Sequence, residues 1–146
     1  MAQTIRRSDP AFERSEVVAR ENLPFKKAWH AVGNPRPGIT TWSADVDSRP
    51  VFTAWRERDL KVDPATGQLR FHSPPGSWAQ TGTGKSYMRR VIKAHREGWA
   101  CRLILLEGKS PWNHVKTACL DDQFAFVRFN YVDESGLILG ELLPTQ

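Results

Sequence analysis

The stretch KSYMRRVIKAHREGWACRLILLEG, Lys85 to Gly108, constrains this chain more than any other. Tyr87, Met88, Val91, Ile92 and His95 fall on one arc at helical spacing, and Arg89, Arg90, Lys93 and Arg96 on the opposite arc. Gly98 stops the helix. The run that follows at once, ACRLILLEG, is continuously apolar and reads as a central strand. The fold must therefore lay an amphipathic helix against a sheet.

The remaining segments indicate what kind of sheet. ITTWSA and VFTAWRE are rich in β-branched and aromatic residues, and the polar DVDSRP between them predicts a hairpin with a longer loop. PFKKAWHAV reads as a first strand ended by the loop GNPRPG, and LRFH as a short strand after the turn VDPATGQ. SPWNHVKTACLDD reads as a short helix, with Ser110 as cap and Pro111 at its first position. FAFVRFNYV and LILGELL read as closing strands around the turn DESG. SDPAFERSEVVAREN predicts a helix near the start, capped by Asp9. Strands and helices do not alternate strictly. The expected fold is α+β, a curved and mainly antiparallel sheet of about six strands with two or three helices, a barrel-like reader fold among the options. Residues 1–24 are expected to form a helix or arm, and 25–146 one domain with its own core.

The net charge is +5, and the pI of about 9.6 favours a polyanionic partner, nucleic acid first. No apolar run has the length of a membrane helix, and the start of the chain has no apolar leader segment. The two cysteines, Cys101 and Cys119, are too few for a disulfide framework. Cys101 opens an apolar run and reads as buried and reduced, so a cytoplasmic location is expected. Six tryptophans in one small domain suggest that one or two serve binding as well as packing.

AQTGTGKS, Ala79 to Ser86, fits the permissive phosphate-loop pattern of Ala or Gly, four residues, then Gly-Lys-Ser. The SPPGSW before it cannot be the buried strand such a loop needs, because proline donates no ladder hydrogen bond. Nucleotide hydrolysis is therefore not expected, and no cofactor motif occurs. The glycines and the helix start still suit a phosphate of nucleic acid. Glu107 and Lys109, at the end of the apolar strand, resemble the second half of a PD-(D/E)xK nuclease signature; Asp59 or Asp63 would have to complete a metal site. His30, His72, His95 and His114 lack metal-ligand spacing, and His95 reads as a packed core residue.

WHAVGNPRPGITTWSADVDSRPVFTAWRERDL, followed by the Tyr-x-Arg-Arg helix and a strand ending in an acid, resembles small bacterial DNA-reader domains of DNA-restriction systems. The resemblance spans Trp29 to about Leu142 and implies nucleic-acid recognition without assigning any residue a role.

The expected function is non-catalytic recognition of nucleic acid, DNA first, with a modified or flipped base as one target. Lys85, Arg89, Arg90, Lys93 and Arg96 would hold phosphates. Trp78, on the Pro/Gly loop and outside the core, would contact or wedge a base, and Trp42 and Trp55 would line a pocket for an unstacked one. The alternatives are a metal-dependent nuclease using Glu107 and Lys109, and a protein–protein adaptor with tryptophan hot spots. A nuclease or other protein is a further expected partner, and a membrane is not.

Overall fold

The computed structural model describes residues 23–38, 41–109 and 114–145. The helix expected over residues 8–22 lies outside them. Their elements run α1 (Leu23–Ala31), β1 (Ser43–Val46), β2 (Arg49–Trp55), α2 (Arg56–Asp59), β3 (Leu60–Val62), β4 (Leu69–Ser73), a 3-10 turn (Ser77–Gln80), α3 (Gly82–Glu97), β5 (Ala100–Lys109), β6 (His114–Cys119), β7 (Phe126–Val132) and β8 (Ile138–Leu143). The expected α+β class holds. The sheet has eight strands in the order β1-β2-β5-β7-β8-β4-β3, with β6 also paired to β5. It is not closed into a barrel, because β1 and β3 end the path. Every pairing is antiparallel except β2 with β5.

β5 is the hub. Along one edge Arg102–Leu106 pair with Val51–Trp55 of β2. Along the other, Ala100–Arg102 pair with β7 and Leu105–Lys109 pair with β6, so the sheet forks. Its side chains alternate between two cores. Cys101, Leu103 and Leu105 join Phe52, Phe71, Phe129, Val127 and Ile138 beneath α3, while Ile104 and Leu106 join Val51 beneath α1. The sheet thus carries a helix on each face.

Three segments differ from expectation. PFKKAWHAV is helical: Phe25, Ala28 and Trp29 stand at i, i+3 and i+4 and are all buried in the second core. Gly33, at φ 103°, ends α1, with the Asn34 N–H reaching the Trp29 carbonyl. Residues 114–119 of the expected short helix form β6, since β5 offers them an open edge. The β1–β2 hairpin is right, but its turn is only Asp47–Ser48, both at positive φ (50° and 68°), which matches the twist of tightly joined strands.

Candidate nucleic-acid interface

α3 begins where the chain leaves the Pro/Gly segment. Thr81 caps it, accepting the Gly84 N–H on its hydroxyl at 3.0 Å. It ends in a paired motif: the Gly98 N–H reaches the His95 carbonyl and the Trp99 N–H reaches that of Ala94. Gly84, Tyr87, Met88, Val91 and Ala94 form its buried face. The Tyr87 hydroxyl donates to the Thr53 carbonyl at 2.8 Å, fixing the helix to β2. Burial, and secondarily the Asp59 charge, hold this phenol well above its usual range, so it stays a donor. The buried arc is rotated from the expected one. Ile92 is 41% exposed, and His95 is exposed too, its Nδ1 donating to the Phe129 carbonyl of β7 at 3.0 Å.

The five cations assigned to phosphate separate into two kinds. Lys85, Arg89, Lys93 and Arg96 are exposed and have no side-chain partner among the described residues. At about 100° per residue they lie within an arc of roughly 80°. With Met88 and Ile92 they line a shallow groove of about 390 Å³. Arg90 lies about 60° beyond Lys93, towards the buried arc. Its Nη1 donates to the Ser43 hydroxyl at 3.0 Å and the Ser43 carbonyl at 3.3 Å, and its Nε lies 3.4 Å from Asp45 Oδ1. Arg90 is therefore a clasp between α3 and β1, and its charge is already engaged.

The phosphate-loop resemblance dissolves at atomic level. A 3-10 turn, not a strand, precedes the helix, and Lys85 and Ser86 sit within its first turn and a half. The Gly84 N–H, expected to be open to an anion, is used by Thr81. Gly84 lacks a side chain because a Cβ there would collide with the Trp78 carbonyl.

Trp78 is half-buried and packs on the first core. Its ring meets Tyr87 edge-on at 5.8 Å and Trp42 at 6.4 Å, and its Nε1 donates to the Pro74 carbonyl at 3.2 Å. The expectation of a side chain outside the core does not hold. Trp42 and Trp55 are not brought together: Trp42 joins the first core and Trp55 the second, on the other face of the sheet. The Trp42 Nε1 is buried and has no partner among the described residues.

Of the nuclease residues, Glu107 lies 3.5 Å from Arg56, which also reaches Asp121 at 3.8 Å. Asp59 is 1% exposed and wholly engaged: it accepts the Trp55 N–H at 2.8 Å and a two-pronged contact from Arg58. Asp63 holds a turn, accepting the Ala65 N–H. Among the described residues no three His, Cys, Asp or Glu side chains gather to hold a metal. Burial pushes the Cys101 thiol up to about 11, which suits packing and not nucleophilic chemistry. No helix among the described residues is long and apolar enough to cross a membrane.

Two residues at this surface were not singled out from sequence. The Arg49 guanidinium lies 4.3 Å from the centre of the Trp99 ring, a cation–π stack beside the basic helix. The signal for Trp99 was present, since the position after a helix-ending glycine commonly packs back on the helix. No protein-family model, curated protein or solved structure matches the chain.

Proposed function

We propose that this chain binds nucleic acid, DNA first, through the exposed cation row of α3, and leaves any strand cleavage to a separate nuclease partner. The observation that carries this reading is the row itself: Lys85, Arg89, Lys93 and Arg96, all exposed and none neutralised among the described residues. The row spans twelve residues of helix, about 16 Å from first to last. One DNA strand presents a phosphate every ~3.4 Å along the axis, so about five phosphates pass beneath it. A solvated helix face would ordinarily mix signs, whereas here Glu97 is the only acid in the helix.

The test is a salt titration of duplex binding by fluorescence anisotropy. Four phosphate contacts predict a slope of log K against log salt of roughly −3 to −4. Affinity should fall about a hundredfold between 50 and 200 mM salt. A flat response would remove the proposal.

A further inference from the structure

A second concavity adjoins the cation row on its hairpin side. It has a volume of about 370 Å³ and is lined by Arg89, Arg90 and Lys93 from α3, by Asp45 and Ser48 from the hairpin, and by Trp99. That volume lies near the lower end of ligand-sized pockets, about 300–1,000 Å³, so it admits one small unit and no duplex. Its charges are not equivalent. Arg90 is committed to Ser43 and Asp45, whereas Arg89 and Lys93 remain open. A concave wall concentrates the field of such unpaired cations. Trp99 forms one wall of the cleft, and the exposed Arg49 guanidinium, outside the lining, lies 4.3 Å from the centre of its ring. Asp45 adds an acceptor: its side chain is 62% exposed and the oxygen not facing Arg90 is unpartnered among the described residues.

We infer that this cleft holds a single nucleotide unit, with its phosphate on Arg89 and Lys93 and its base against the Trp99 wall that Arg49 braces. Bases stack readily on arginine planes and aromatic rings, and phosphate is matched by the arginine fork. The Asp45 carboxylate only accepts hydrogen bonds, so it favours bases that carry an amino group, guanine, adenine or cytosine, over uracil, whose one donor is its N3–H. The unit has two possible sources, a free mononucleotide or an unpaired nucleotide of a bound strand. The inference deepens the reading of α3, with which it shares Arg89 and Lys93.

The test titrates the full chain with AMP, CMP, UMP, adenosine and inorganic phosphate by calorimetry. Anisotropy then compares a blunt duplex with the same duplex carrying one unpaired cytidine. AMP and CMP should bind at least fivefold tighter than UMP, phosphate or adenosine, or the unpaired cytidine should tighten duplex binding by a similar factor. Arg49→Ala, which unbraces Trp99, should lower that gain severalfold for AMP, CMP and the unpaired cytidine alike. Nucleotide binding alone assigns the free source, and a gain on the unpaired duplex alone assigns the strand. Duplex binding with neither gain overturns the cleft and leaves the α3 reading standing. Nucleotide binding without duplex binding sustains the cleft and removes the α3 reading, and no binding at all removes both.

Discussion

A Cβ on Gly84 would meet the Trp78 carbonyl oxygen, its carbon and the Thr81 hydroxyl, none of which is the free end of a flexible side chain. This glycine exists to let the 3-10 turn lie against the first turn of α3. Gly84→Ala should therefore destabilise the fold by about 1–3 kcal/mol, the range of overpacked sites. Thermal melts should show it, while magnesium-ATP should raise the wild-type melting temperature no more than AMP does. A shift with ATP far beyond that with AMP would restore the phosphate-loop reading. That no strand delivers this segment was legible in SPPGSW. The reason for Gly84 was not, because it depends on a carbonyl that only the folded turn brings close.

At the scale of the element, α3 has two adjacent arginines with opposite tasks. Arg89 is exposed and unpaired, whereas Arg90 is tied to Ser43 and Asp45 and its side chain is only 20% exposed. Arg89→Met should leave stability within about 0.5 kcal/mol, as surface changes do. It should shallow the salt slope of nucleic-acid binding by about one. Arg90→Met should do the reverse. It should cost about 1–2 kcal/mol through the lost hydrogen bonds to half-buried partners and leave the slope nearly unchanged. Equal effects of the two variants on the slope would show that Arg90 faces the phosphates after all. The helix, its stop at Gly98 and the exposure of four of its five cations were readable from periodicity. Arg90 was grouped with them although it stands on the flank, where a two-face description breaks down. PFKKAWHAV failed differently: nine residues with Lys-Lys between apolar groups fit a strand or a helix, and only burial of Phe25 with Trp29 decides.

At the scale of the molecule, the first core holds two acids protonated by burial, Cys101 and Tyr87. Both have folded values raised above the unfolded ones. Their contribution is complete below the unfolded values and is lost as pH rises through the folded ones. Melting temperature should thus fall progressively from about pH 9 towards about 11. Cys101→Ala should start somewhat lower but decline less steeply. An unchanged decline in that variant would assign the whole effect to other groups. The sheet's class was legible because strand segments dominate the second half of the chain. Its topology was not: nothing in VFTAWRE or ACRLILLEG announces that these two runs lie parallel, since side-chain alternation is blind to strand direction.

That parallel pair has a consequence for how the chain comes into being. β2 finds its main partner only when β5 is available, and Leu106 lies 51 residues after Trp55. At the usual ~5–20 residues per second of synthesis, the apolar strand PVFTAW waits about 3–10 seconds with only the short β1 beside it. During that interval the nascent chain presents an unpaired apolar edge to its surroundings or to a chaperone. Birth, more than the finished fold, is the vulnerable moment of this architecture.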